Sequence, residues 1–256
     1  VRFACLGSGS QGNAYLIETR QIRILVDCGF AAREIERRLD LLQVEPASLD
    51  AILVTHEHTD HIRGLRVLAR RYRLPVWMTF GTHFGSGCGE LPQLHLIDHH
   101  SGPFRIGDLQ ITPYTVPHDA REPCQFVFNC DQARLGLLTD TGHITPHILQ
   151  QLGDCDSLIL EFNHDPAMLA AGPYPPSLQA RVGGHHGHLN NHQSVELLSR
   201  LETARLQHLV AAHLSEKNNT PECVRATLFD RHPQLQDRLS FAAQSLPSHW
   251  HELTKS

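Results

Sequence analysis

The stretch THEHTDH, residues 55 to 61, sets three histidines, a glutamate and an aspartate in seven positions directly after the apolar run AILV. Side chains this readily charged do not normally follow a strand unless something holds them there. Residues two apart in an extended segment point the same way, so His56 and His58 can grip one ion from the end of a strand. Asp60 and His61 then fall where the next helix begins, within reach of a second ion. An aspartate at a helix start is often only a cap, but capping explains none of the histidines. These residue types at this spacing point to a two-metal site, or half of one.

Four residues cannot complete two coordination shells, and the missing ligands should also follow apolar strands. Three candidates do: His118 after PYTVP, Asp140 after GLLT and His213 after HLVAA. Each alone is an ordinary polar residue at a strand end; their joint recurrence is what singles them out. The chain has 20 histidines in 256 residues. Most are therefore expected to be surface residues, and placement after a strand selects the few that ligate.

The elements that must position these residues can be read from periodicity. The first third alternates strand and helix: RFACLG, AYLIE and IRILVD, a helix over about Ala31 to Leu42, the strand AILV, and a second helix over about His61 to Tyr72. The middle is strands, LQITPYTV, CQFVFN and RLGLLTD, with Cys130-Asp131-Gln132 as the turn between the last two. Beyond Asp140 come a short helix from Pro146 to Leu152, the strand SLILEF, a helix from about Asn191 to Leu201, the strand HLVAA and a helix beginning near Thr220. Gly172 to Gly187 is rich in proline and glycine and reads as an irregular loop near the working face. Without repeats or long linkers, the pattern predicts one α/β domain over residues 1–256, a sandwich of two sheets with helices outside.

Composition narrows the class. The content is 41% hydrophobic and 19% charged, as in ordinary globular proteins. A formal net charge of -5 gives no bulk attraction to nucleic acid or anionic membrane, so such a partner would need a local patch. The seven cysteines are odd in number, scattered and free of any C-x-x-C pair, which suits a reducing cytoplasm. With no leader-like N-terminal stretch and no long apolar run, the expectation is a soluble cytoplasmic protein with no membrane partner.

HEHTDH followed by single His, Asp and His at strand ends resembles the metallo-β-lactamase superfamily, and the match runs through nearly all of the chain. The resemblance implies an αββα four-layer sandwich, two mixed β-sheets flanked by helices, with metals at one edge. It implies that His56, His58 and His118 bind a first metal, that Asp60, His61 and His213 bind a second, and that Asp140 bridges them. The implied cofactors are two divalent ions, Zn2+ or Mn2+, with Fe2+ also suited to such ligands. Two such ions activate a bridging water to hydroxide at neutral pH, with Asp60 counted in the catalytic set. That chemistry hydrolyses phosphodiesters, thioesters, lactones and β-lactams alike, so the motif says hydrolase and leaves the substrate open.

Other strings narrow the branch. LGSGSQGN, LVDCGF, GHLNNHQS and AAHLSEKNNTPE resemble the YycJ/WalJ-type branch, whose members act as nucleases on DNA or RNA ends. The resemblance implies a metal-dependent phosphodiesterase, an exonuclease of the 5′-to-3′ type, with nucleic acid ends as partner; a homo-oligomer is left open. His188 stands where related tRNA-processing nucleases carry a histidine, preceded by an acidic residue that here is Glu161. A histidine held by a carboxylate can protonate a leaving alkoxide. This chain carries Leu-Asn-Asn where those nucleases have Ser-Thr. Candidate substrate contacts are Asn13 in the SGSQGN turn, and Lys217 and Asn218 in the last string. Arg63 and Arg66 join them, as the start of a basic stripe with Arg70 and Arg73 that either steers a phosphate backbone or is a solvated helix face. The short run between Asp140 and His213 leaves no room for the large inserted domain of β-CASP nucleases, and no Gly/Pro-rich tRNA-gripping arm is present. Two other readings compete: a small-molecule hydrolase, acting on a cyclic or small phosphodiester, thioester or lactone, and a non-catalytic metal-binding regulator.

Overall fold

A computed structural model describes residues 1–98 and 101–254. In chain order the first half runs β1 (Arg2–Gly7), β2 (Ala14–Glu18), β3 (Arg23–Val26), α1 (Ala32–Leu41), β4 (Ala51–Leu53), α2 (Thr59–Ile62), α3 (Leu65–Tyr72), β5 (Pro75–Thr79), α4 (Phe80–Ser86) and β6 (Gln93–Ile97). The second half runs β7 (Phe104–Ile106), β8 (Leu109–Thr115), β9 (Cys124–Cys130), β10 (Ala133–Leu138), α5 (Pro146–Leu152), β11 (Ser157–Glu161), α6 (Pro166–Ala171), α7 (Pro176–Val182), α8 (Asn191–Ser199), β12 (His208–Ala212), α9 (Pro221–Arg231), β13 (Leu239–Phe241) and β14 (His251–Glu252).

The strands form two seven-stranded sheets, β14-β1-β2-β3-β4-β5-β6 and β13-β12-β11-β10-β9-β8-β7. Each is mixed. β1 to β3 pair antiparallel and β3 to β6 parallel, while β7 to β10 pair antiparallel and β10 to β13 parallel. Side chains alternate along a strand, so each sheet has two faces to cover. One face of each sheet meets the other in a core built from Phe3, Ile17, Val26, Leu53, Ile111, Phe126, Leu137, Ile159 and Val210. The opposite face of the first sheet, with Leu16, Leu25 and Ile52, packs on Ile35 and Leu39 of α1 and Leu65 and Leu68 of α3. The opposite face of the second, with Leu158, Leu160 and Leu209, packs on α5, α8 and α9 through Leu152, Val195 and Leu228. The result is four layers, helices, sheet, sheet, helices, as expected.

Local signals explain most boundaries. Ala133 pairs with Cys130 across a tight turn in which Asp131 takes φ 55°, a left-handed conformation that aspartate tolerates. A capping box between Asn190 and Gln193 starts α8, and the Thr220 side chain caps α9. Two expectations are corrected. The helix read over His61 to Tyr72 is divided into α2 and α3, because the chain bends at Gly64, packed directly on the segment after β3. A Cβ there would lie 2.2 Å from the Phe30 carbonyl oxygen. Gly172 to Gly187 is not wholly irregular, since it holds α7, whose first residue Pro176 has the φ a helix start needs.

No helix among the described residues is long and apolar enough to cross a membrane. The seven cysteines are all unpaired, and six of them are buried.

Candidate metal centre

The C-terminal ends of β4, β10, β11 and β12 and the segment after β8 converge at one edge of the sandwich. His56 and His58 leave the turn after β4, and Asp60 and His61 occupy the first turn of α2. His118 follows β8, Asp140 follows β10, and His213 follows β12. Asp140 and His213 adopt φ 55° and 54°. Left-handed backbone turns a side chain sharply off the strand line, and for a histidine it costs about 1 kcal/mol or more, a conformation that clusters at functional sites.

Two groups of ligand atoms result. His56 Nε2 lies 3.1 Å from His58 Nδ1, and His118 Nε2 lies 3.3 Å from the same atom. Nitrogens each about 2.0–2.1 Å from one tetrahedral ion stand roughly 3.3 Å apart; both of these distances match that spacing, and all three ligand atoms lie within 4.8 Å of one another. The second group surrounds Asp140. Its Oδ2 lies 3.3 Å from His61 Nε2 and 3.0 Å from His213 Nδ1, while its Oδ1 lies 4.0 Å from His118 Nε2. The two carboxylate oxygens thus face the two histidine groups. Asp60 Oδ2 adds to the second, 3.5 Å from His61 Nε2 and 3.8 Å from His213 Nε2. The donor set of imidazoles and carboxylates fits divalent metal ions. All seven residues expected as ligands are brought together.

Charge supports that fit. Burial pushes the His118 imidazole down to about 4 and His56 well below its ordinary value, leaving both neutral and able to ligate. His61 goes the other way: burial opposes its protonation, but Asp140, Asp27 and Asp60 around it hold it well above the ordinary range. The carboxylates therefore call for positive charge at this point.

Neighbouring groups orient the ligands. Asp27 Oδ2 lies 2.8 Å from His61 Nδ1, and the same carboxylate accepts the Thr55 backbone N–H and hydroxyl, which directs His61 Nε2 inward. His118 Nδ1 donates to the Gly187 carbonyl at 3.0 Å, freeing Nε2. Gly29 lets the first turn of α2 sit against the chain: a Cβ there would lie 1.7 Å from the Asp60 carbonyl oxygen.

His188 stands at the cavity wall with Nδ1 2.7 Å from Glu161 Oε1. Glu161 is fully buried and also accepts the backbone N–H groups of Asp140, Thr141 and Leu189. Burial would depress the imidazole, yet Glu161, with Asp140 and Asp60 farther off, raises it to about 9. The pair expected as acid and partner is in contact.

The cavity of about 370 Å³ over these groups is lined by Ser10, Asp60, Asp119, Tyr174, Arg181 and His188, among others. The expected substrate contacts fare unevenly. Lys217 is exposed, its Nζ 5.7 Å from the Tyr174 ring, and so stands at the rim. Arg63 and Arg66 are exposed but line no part of this cavity. Asn13 and Asn218 are corrections: both are fully buried. The Asn13 amide bonds Ser8, Gly9 and Asp60, so it positions the metal motif; Asn218 bonds Ser215 within its own turn. Sequence reading missed Asp27, Tyr174 and Arg181. Asp27 stood in LVDCGF at a strand end, the same signal that marked Asp140. Tyr174 and Arg181 had none, because their placement depends on how the segment carrying α7 folds over the site.

Comparison with known proteins agrees with this architecture. Residues 22–213 match the family model of the beta-lactamase superfamily domain. The chain is 33% identical over 237 residues to exodeoxyribonuclease WalJ of Streptococcus pneumoniae, covering 90% of this chain and 87% of that protein. It is 33% identical over 231 residues to exodeoxyribonuclease YycJ of Bacillus anthracis, covering 89% and 88%. In structure it resembles the metallo-beta-lactamase fold protein YhfI from Bacillus subtilis, with TM-score 0.73 and 16% identity over 97% of this chain and 99% of that one.

Proposed function

Because this chain belongs to the metallo-β-lactamase superfamily, we propose that it is a metal-dependent phosphodiesterase of nuclease type that trims DNA ends in the 5′-to-3′ direction. The observation that carries the reading is the His188–Glu161 pair at 2.7 Å on the wall of the metal cavity. Similarity to two exodeoxyribonucleases along almost the whole chain supports DNA as the polymer.

His56, His58 and His118 would hold one divalent ion and Asp60, His61 and His213 another, with Asp140 between them. Zn2+ and Mn2+ both suit this set, and Fe2+ as well. Such ions supply a strong nucleophile from water at neutral pH and stabilise charge on the attacked phosphate. The chain's own residues do the rest. Glu161 fixes the orientation of His188 and keeps a proton available on the ring, whose Nε2 can give it to the departing sugar oxygen. Arg181, held by Asp119 at 2.6 Å on the cavity wall, offers its remaining guanidinium N–H donors where a phosphate backbone would enter.

A time course on end-labelled single-stranded DNA and RNA, with metal-reconstituted protein beside Asp60→Ala, tests this reading. A DNA ladder shortening from the 5′ end, absent in the variant, is expected. Intact polymers together with hydrolysis of bis(p-nitrophenyl) phosphate would move the assignment to a small-molecule diesterase.

A further inference from the structure

Phe80 and Phe84 on α4 are the most exposed large apolar side chains among the described residues, at 63% and 67%. They are one helical turn apart, and their rings stack at 6.4 Å with an interplanar angle of 23°. The Arg121 guanidinium lies 5.0 Å from the Phe84 ring centroid. Large aromatic faces left in water on a short, well-fixed helix call for an occupant.

Their position relates them to the metal cavity. Gly85 of α4 packs directly on Glu57, the residue between His56 and His58: a Cβ at Gly85 would lie 2.8 Å from Glu57 Cγ and 2.9 Å from Arg121 Cδ. Glu57 Oε1 accepts the Arg121 backbone N–H at 2.8 Å, and Glu122 Oε2 accepts the Gly81 N–H at 2.6 Å. The helix is therefore fastened both to the metal motif and to residues 119–122, whose Asp119 lines the cavity. Arg121 is two residues from Asp119, at most about 7 Å along the chain. The cavity lining repeats the chemistry: Tyr174 has the Lys217 Nζ 5.7 Å from its ring, and Arg181, also in the lining, pairs with Asp119 at 2.6 Å. In a chain of net charge -5, two aromatic rings joined to cations, one in the cavity lining and one beside it, run against the bulk charge.

We propose that Phe80 and Phe84, with Arg121, form a platform on which bases of single-stranded DNA stack as the strand enters the metal cavity. Every base offers a π face and every phosphate a negative charge, so rings beside guanidinium groups hold a strand without reading its sequence. This inference rests on the nuclease reading above and adds to it a preference for unpaired strands.

The test compares steady-state cleavage of single-stranded DNA by metal-reconstituted wild type, Phe80→Ala/Phe84→Ala, Phe84→Trp and Arg121→Ala. Hydrolysis of bis(p-nitrophenyl) phosphate by each reports on the metal centre alone. The double variant is expected to raise KM for DNA roughly fivefold or more, as loss of base stacking does elsewhere, with small-diester hydrolysis unchanged. Phe84→Trp should keep wild-type KM, and an oligonucleotide with abasic sites should not distinguish wild type from the double variant. An unchanged KM for DNA in the double variant overturns the platform while leaving the nuclease reading intact. So does a dimer that dissociates in the double variant at unchanged KM, which would make the patch an interface between copies. A KM effect confined to RNA overturns the commitment to DNA. Wild type that hydrolyses the small diester but cleaves no DNA overturns the nuclease reading itself, and the platform with it.

Discussion

Asp27 Oδ2 and His61 Nδ1 lie 2.8 Å apart, and neither side chain is exposed to solvent. The contact fixes which nitrogen of His61 faces the metal cavity. Replacing Asp27 with Asn keeps the volume and removes the charge that orients and strengthens the ligand. The expected outcome is metal affinity about 10–100-fold weaker, read by competition with a coloured chelator. Unchanged affinity would show that His61 holds its orientation without the carboxylate.

The His188–Glu161 pair makes a different statement, about the leaving group. His188→Asn and Glu161→Gln should each lower kcat on DNA by about 10²–10⁴-fold, since a sugar alkoxide must be protonated as it departs. Hydrolysis of bis(p-nitrophenyl) phosphate, whose leaving group needs no proton, should change little. Equal losses on both substrates would indicate that these residues act on the metal site and not on the leaving oxygen. Metal content measured on each variant separates the two cases directly.

Gly29 tests the close approach that sets the metal motif. Gly29→Ala places a methyl group 1.7 Å from the Asp60 carbonyl oxygen, so α2 must shift. A loss of about 1–3 kcal/mol of stability is expected from overpacking, together with weaker metal binding because Asp60 and His61 move with the helix. Thermal unfolding and chelator competition measure the two effects. A variant with wild-type Tm and affinity would mean that the turn is more pliant than its packing indicates.

The edge of the first sheet is expected to be acid-sensitive. His251 on β14 stacks on Phe3 at 4.9 Å, and its Nε2 is buried without a partner. Burial, with His208 and His249 nearby, pushes it from 6.5 down to about 4. A histidine depressed in the folded state favours folding fully above its unfolded value, and that contribution is lost as pH falls through the folded one. Between about pH 7.5 and pH 5 this should cost about 1 kcal/mol once solvent screening is allowed for. His251→Phe should flatten that part of the slope in denaturant titrations. Some slope should remain, because burial also pushes His164 down to about 4. An identical slope in the variant would place the acid sensitivity elsewhere.

The layered architecture and the cluster of candidate metal ligands were legible in the sequence because both rest on local rules. Apolar alternation marks strands, and the joint recurrence of histidines and aspartates just after such runs marks candidate ligands, so HEHTDH, His118, Asp140 and His213 could be found without coordinates. His188 and Glu161 were found through the resemblance, and the structure brings them to 2.7 Å. The helix over His61 to Tyr72 was read as continuous because nothing in its periodicity reports that Gly64 must press against Phe30.

What only tertiary structure decided is which polar side chains face inward at long range. Asn13 and Asn218 look like substrate contacts as sequence, yet each is buried and bonded to protein, because turns from distant parts of the chain close over them. Asp27 and His61, 34 positions apart, meet because β3 and β4 lie side by side in the sheet. Tyr174 and Arg181 reach the cavity because α7 folds across it, and Phe84 gains Arg121 because α4 docks on the segment after His118. Spacing along the chain determines side-chain direction within one element; contact between elements depends on how their buried faces fit, and that fit has no local signature.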